Sequence, residues 1–572
     1  MMEGVSTVEH PFPSDIEIAQ SAELAPIPDV AATVGIAPEH LVPYGRHVAK
    51  VELEAIDALA HLPNAKYVVV TAITPTPLGE GKTTTAVGLA QGLAKIGRKP
   101  VLALRQPSLG PVFGVKGGAA GGGYSQIVPM ETLNLHLTGD FHAVTAAHNL
   151  LAAMVANHLH FGNELGLHEI QWRRVLDMND RSLRNIIEGC GTLNDGVTRQ
   201  TGFDITAASE VMVILSLATS LEDLRDRLGR IVVGFTKDRT PVTAEQIGAA
   251  GAMAVLLKDA LQPNLMQTLE HTPAFIHTGP FGNIATGNSS IIADRIGIKA
   301  GDILLTEAGF AADMGAERFF NVKCRAAGLT PNAAVIVVTV RALKSHSGRF
   351  RVKAGSPLPE EMLAENPADV EAGAVNLRKH IEIIRGFGVQ PVVAINAFPT
   401  DFPSEHDVIR RVAEEMGARV AVSTHVRDGG DGAVELARTV VEACGDEVHF
   451  TPTYEFSDPL ETKIEKIATG VYGASGIQLS PAAQKSLAMY TDQGYGDLPV
   501  LIAKTPMSLS HDATLKGVPT GWTLPVREVR LAAGAGYVYA ICGTMMTMPG
   551  LSKSPAAMRI DLDAAGNIVG LF

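Results

Sequence analysis

Tyr67-Val-Val-Val-Thr-Ala-Ile73 runs straight into Thr74-Pro-Thr-Pro-Leu-Gly-Glu-Gly-Lys-Thr-Thr-Thr85, and the reading of this junction decides the fold. The apolar, β-branched run predicts a buried strand, and the Pro- and Gly-rich residues after it predict a loop. Ala86, Val87, Ala90, Leu93 and Ala94 then recur at 3.6-residue spacing up to Gly97, which predicts a helix and its stop. Val101–Leu104 predicts the next strand, so strand, loop, helix and strand form one unit of a parallel α/β sheet. The loop residues Thr76, Pro77, Leu78, Gly79, Glu80, Gly81, Lys82 and Thr83 have P-loop spacing, with Thr76 where the usual first glycine stands. Consecutive backbone N–H groups and the helix N-terminus would make a concave anion site for a di- or triphosphate. Lys82 should bridge the β- and γ-phosphates, and the Thr83 hydroxyl should ligate Mg²⁺. The competing reading is a Gly-rich turn with a surface lysine.

Arg105 follows the second strand directly. If the two strands are parallel, it emerges on the P-loop edge of the sheet, where a guanidinium can clamp a carboxylate or a transferring phosphoryl group. Pairing with a surface acid is the plainer alternative. The run Gly114-Val-Lys-Gly-Gly-Ala-Ala-Gly-Gly-Gly-Tyr124 cannot pack a core, so it is either a flexible loop or a wall that lets a ligand approach backbone closely. His136, His142 and His148 stand six apart, a spacing unsuited to metal ligands on one helix. Thr138 and Asp140, in a short polar turn, are candidates for the same pocket.

Further strands are expected at Val211–Leu215, Arg230–Gly234, Ala274–His277, Ile303–Thr306, Val335–Val340, Val392–Ile395 and Arg419–Val422. Leu501–Lys504, Val526–Leu531 and Tyr537–Cys542 predict a last group, and Asp15 opens a capped helix. The charged and Pro-rich stretch from Gly348 to Pro367 predicts an exposed connection. These shifts give an α/β protein with three units: a large P-loop-containing parallel-sheet domain at 1–365, and smaller α/β domains at 366–500 and 501–572.

Composition excludes several classes. A net charge of −13 argues against a nucleic-acid partner, which needs a basic face. With 46% hydrophobic and 19% charged residues, the 572-residue chain has the balance of a well-buried globular protein. Apolar runs such as Ala333–Val338 fall far short of a membrane span, and the N-terminal residues lack a secretory signal, so a cytoplasmic location is expected. Cys190, Cys324, Cys444 and Cys542 are too scattered for a zinc site or a disulfide framework.

Taken together, Thr74–Thr85 and Arg105–Tyr124 resemble the formate–tetrahydrofolate ligase family. The likeness extends through Leu176–Arg181, Gly251–Lys258, Pro273–His277, Glu307–Asp313, Thr339–Lys344, Asn396–Asp401 and Met546–Gly550, nearly the full chain. It implies a homotetramer of the monofunctional form that takes ATP with Mg²⁺, formate and tetrahydrofolate to 10-formyltetrahydrofolate, ADP and phosphate through formyl phosphate. It also admits a monovalent cation, K⁺ or NH₄⁺, as an additional cofactor. On this likeness Lys82 and Arg105 are the catalytic residues, and Phe398 matches a position that contacts the pterin. Departures from the family pattern are Gln106 for Glu, Thr286 and Asn288 for His and Cys, and Val426 where an aromatic residue stacks on folate. Two other readings are a P-loop ATPase acting as a nucleotide switch and a non-catalytic folate- or nucleotide-binding relative.

Overall fold

The computed structural model describes residues 12–114, 120–353 and 357–571. Among these, twelve strands make one sheet. Its central order is Pro273–Ile276, Pro100–Leu104, Ile303–Glu307, Lys66–Ala72, Ala333–Val338, Gln390–Asn396 and Arg419–Ser423. Every neighbouring pair in that series is parallel. Asn264–Thr268, Ala49–Val51 and Leu41–Pro43 extend one edge in antiparallel fashion.

Sheets of this kind bury both faces, and the Val-rich strands are the sequence form of that demand. Tyr67 and Val69 point into one core layer, while Val68, Val70 and Ala72 point into the other with Val87, Leu89 and Leu93 of the helix Lys82–Lys95. Each valine so buried contributes roughly 1.5–3 kcal/mol relative to exposure. Val68, Val69 and Val70 are fully buried.

Three expectations need correction. Val211–Leu215 lies in the helix Glu210–Leu217, not a strand. Ser209 caps it by accepting the Met212 N–H, and every residue from Val211 to Leu217 is buried, so the apolar run carries no amphipathic period. Arg230–Gly234 becomes the strand Val232–Thr236, outside the main sheet, between Leu167–Ile170 and Pro241–Thr243. Val526–Leu531 divides at Arg527: Leu524–Val526 pairs with Ile477–Leu479, and Glu528–Ala532 pairs with Tyr537–Ile541. The main sheet continues past residue 366, with Gln390–Asn396 hydrogen-bonded in parallel along Ala333–Val338.

Val500–Ala503 runs parallel to Tyr537–Ile541 in a small sheet of its own. Just beyond it, the Lys504 ammonium reaches Asp313 Oδ2 at 2.8 Å and the carbonyls of Thr505 and Ser508 at 3.2 and 2.6 Å. This fully buried pair ties the C-terminal segment to the helical turns that follow the Glu307 strand.

Candidate active site

The strands ending at Ala72, Leu104 and Glu307 release their chains on one edge of the sheet, the carboxyl edge where α/β folds bind ligands. The strand Ile303–Glu307 sits between the other two. Lys82 and Arg105 therefore emerge on the same side, two strands apart, as parallel pairing requires.

The loop from Thr74 to Gly81 is shaped by its own short bonds. Thr76 N–H donates to Glu80 Oε1 at 2.7 Å, Leu78 N–H to Thr76 Oγ1 at 3.3 Å, and Gly79 N–H to Thr76 O at 3.2 Å. Thr76 and Glu80 are buried, Pro77 and Leu78 are half-buried, and Gly79 is exposed. Gly81 caps the helix with φ +76°, and a Cβ there would stand 2.5 Å from Asn396 Nδ2, so a side chain is excluded twice over. Lys82 and Thr83, in the first turn of the helix, are half-buried at its positive end.

Behind the loop, Thr74 is held on all sides. Asn376 Oδ1 accepts its N–H at 3.1 Å, and Asn376 Nδ2 donates to its hydroxyl at 2.9 Å and to Gly517 O at 3.0 Å. His380 Nε2 pairs with the Thr74 hydroxyl at 3.0 Å, and His346 Nε2 donates to the Thr74 carbonyl at 2.8 Å. Burial pushes both imidazoles down to about 4, so they are neutral near pH 7 and add no charge behind the loop.

The front is less complete. Thr83 Oγ1 donates to Glu307 Oε2 at 2.5 Å. The other carboxylate oxygen lies 3.7 Å from Arg105 Nη2, and Arg105 Nη1 donates to Pro280 O at 3.1 Å. Thr83, Glu307 and Arg105 thus form a chain across the three strand ends. Gln106, Thr278, Thr286 and Asn288 are buried, each with a side-chain polar atom that has no hydrogen-bond partner among the described residues. Thr278 O accepts the Gln106 N–H at 2.7 Å, and Gly287 O accepts the Gly309 N–H at 2.9 Å beside Arg105. Thr278 and Phe310 carry positive φ of 52° and 59°, conformations that cost about 1–3 kcal/mol each and gather at functional sites.

Glu307 is the residue that the reading of the sequence did not assign to the site. An acid ending the apolar strand Ile303-Leu-Leu-Thr-Glu307 was the available signal, but nothing local says which strands flank it. Thr138 and Asp140 belong elsewhere: Thr138 donates to Asn264 Oδ1 at 2.6 Å, and Asp140 closes a buried pair with Lys50 at 2.8 Å. The rings of His136 and His142 lie 5.0 Å apart, yet no three His, Cys, Asp or Glu side chains stand together as metal ligands among the described residues.

Phe398 follows the strand Gln390–Asn396, whose Asn396 Nδ2 donates to Glu80 O at 3.1 Å. The Arg341 guanidinium stacks 4.1 Å over its ring, which leaves at most one face for another flat group. Val426 O accepts the Tyr124 N–H at 2.8 Å, and its side chain packs toward the backbone of Gly123. Residues 115–119 of the Gly-rich run lie outside the described residues; its far end forms a narrow turn in which Gly123 N–H donates to Asp15 at 2.7 Å. The segment after Ser423 also grips the P-loop helix: a Cβ on Gly88 would stand 2.5 Å from the Cβ of His425.

Comparison with known sequences gives a consistent result. The family profile described as formate–tetrahydrofolate ligase matches residues 13–572. A formate–tetrahydrofolate ligase of Cutibacterium acnes is 66% identical over 561 residues, covering 98% of this chain and 100% of the relative. One from Saccharopolyspora erythraea is 65% identical, covering 98% and 99%. Formate–tetrahydrofolate ligase 1 of Rubrobacter xylanophilus is 62% identical over 571 residues, again covering 98% and 99%.

Proposed function

The chain belongs to the formate–tetrahydrofolate ligase family, and we propose from that premise that its P-loop and the Arg105 side of the sheet edge carry the phosphoryl half of the reaction. The protein joins formate to tetrahydrofolate with ATP, giving 10-formyltetrahydrofolate, ADP and phosphate. The observation that carries the assignment is the chain of Thr83, Glu307 and Arg105 across adjoining strand ends beside the P-loop.

Formate is a poor electrophile until one oxygen becomes a leaving group. Its carboxylate oxygen attacks the γ-phosphorus, a P–O bond forms, and the bond to the β–γ bridging oxygen breaks, releasing ADP and leaving formyl phosphate. Lys82 would neutralise the β- and γ-phosphates, and Arg105, which donates from Nη1 to Pro280 O, would hold the transferring group against formate through its other N–H groups. Because formate offers almost no surface of its own, positioning counts for more than affinity. The N10 amine of tetrahydrofolate then attacks the formyl carbon, the C–O bond to phosphate breaks, and the nitrogen loses its proton.

The oxygen donors Thr83 and Glu307, in hydrogen-bond contact, fit a hard cation such as Mg²⁺ that otherwise rests on phosphate and water. When bound, Mg²⁺ would supply charge neutralisation at the phosphates. K⁺ or NH₄⁺ as an additional cofactor, Phe398 as a pterin contact and a cytoplasmic location complete the proposal. No helix among the described residues is long and apolar enough to cross a membrane. A homotetramer belongs to the proposal through the family resemblance, and the exposed Val255 and Leu256 on the helix Ala250–Leu257 are apolar surface that another copy could cover. ADP release that requires both formate and tetrahydrofolate tests the whole reading; release without either would favour the nucleotide-switch alternative.

A further inference from the structure

We propose that Glu307 is the protein carboxylate of the P-loop cation site and the positioning residue that aligns Arg105 with it. The inference rests on the reading of Thr76–Thr83 as a nucleotide site. Glu307 ends the strand that separates the P-loop strand from the Arg105 strand, so its side chain is delivered between the two catalytic halves by sheet order alone. One oxygen accepts the Thr83 hydroxyl at 2.5 Å, and the other faces Arg105 Nη2 at 3.7 Å. That second distance leaves the guanidinium unlocked on the pocket side. A charge-assisted bond formed for stability closes to about 2.7–2.9 Å, whereas this pair stands open, with Arg105 a quarter exposed and Glu307 buried.

An acid against the P-loop hydroxyl has opposite effects on nucleotide in two conditions. Without a divalent cation, its charge opposes the triphosphate. With one, the same charge attracts the cation and the waters around it, and Thr83 is freed to offer its oxygen lone pairs. The carboxylate therefore makes binding conditional on the metal, and its second oxygen keeps the guanidinium on the phosphate side of the pocket. A residue that only filled space or only balanced Arg105 would not produce that conditionality.

The test is calorimetric titration of ATP into the full-length protein without formate, once with Mg²⁺ and once with EDTA, for the wild type and Glu307→Gln. Expected is that Glu307→Gln binds metal-free ATP at least as tightly as wild type, while the gain from Mg²⁺ shrinks by about tenfold or more. An undiminished Mg²⁺ gain, or equal weakening in both conditions, overturns the proposal. Wild-type protein that binds no ATP in either condition would instead overturn the nucleotide-site reading on which it rests. Should Glu307→Gln fail to fold, Glu307→Asp retains the charge but withdraws it from Thr83; a reduced Mg²⁺ gain there supports the role and an unchanged gain refutes it.

Discussion

Glu307 and Asp313 come from one short stretch, Glu307-Ala-Gly-Phe-Ala-Ala-Asp313, and face two different cations. Asp313 meets Lys504 at 2.8 Å, where both are fully buried and the ammonium's three donors are all committed to protein oxygens. Glu307 meets Arg105 at 3.7 Å, where the guanidinium is partly exposed and donates one bond to a carbonyl. A closed pair has no donors to offer a ligand and can only hold the fold together. An open one is poorly designed for stability and well designed for binding. On the proposed reading, that difference separates a structural acid from a site acid six residues apart.

The strongest challenge to that division is Lys82→Met, which should bring ligation down by about 10³-fold or more with the fold retained, because on the proposed reading the lysine, in the first turn of the helix Lys82–Lys95, serves phosphate. Near-normal turnover measured by ADP release would remove the P-loop from the chemistry. On the closed side, Lys504→Met leaves Asp313 buried without its counter-charge, and a loss of about 3–5 kcal/mol is expected in denaturant titration. The folded fraction should turn over at close to the wild-type rate, and a large drop in kcat at full stability would show that the closed pair also serves catalysis. Arg105→Lys keeps charge but loses the planar fork: kcat should fall by about 10², with ATP affinity and stability almost unmoved. A raised KM for ATP at constant kcat would make Arg105 a simple nucleotide contact. The smallest effect belongs to Phe398→Leu, where the Arg341 stack already covers one face. Aromatic stacking of about 0.5–1.5 kcal/mol predicts tetrahydrofolate affinity weakened by roughly tenfold at most, read by equilibrium titration. Unchanged affinity in a stable variant would move the pterin elsewhere.

The strand, loop and helix around Thr74–Thr85 were legible because each step has a local cause: β-branched burial, Pro and Gly punctuation, then 3.6-residue spacing. Arg105 was legible for the same reason, as the residue after a strand. Glu307 was not, because insertion of its strand between the other two is a fact of three-dimensional order that no local pattern carries. Val211–Leu215 misled because a run buried on every side erases the period that separates helix from strand, although Ser209 and Glu210 carried the helix-start signal. The stretch from Gly348 to Pro367 shows the limit of composition, because an exposed link can join two strands of one sheet as readily as two domains.

Sheet order also sets a schedule for the newborn chain. Lys66–Ala72 and Pro100–Leu104 do not pair with each other; the strand that joins them, Ile303–Glu307, leaves the ribosome about 200 residues later, roughly 10–40 s at bacterial-to-eukaryotic synthesis rates of about 5–20 residues per second. Throughout that interval two strong β-formers wait with open edges, and the phosphate cradle has a loop and a helix start but no third wall. The sheet edge that carries Thr83, Glu307 and Arg105 therefore comes together only once Ile303–Glu307 has emerged, and the strands Ala333–Val338, Gln390–Asn396 and Arg419–Ser423 follow it.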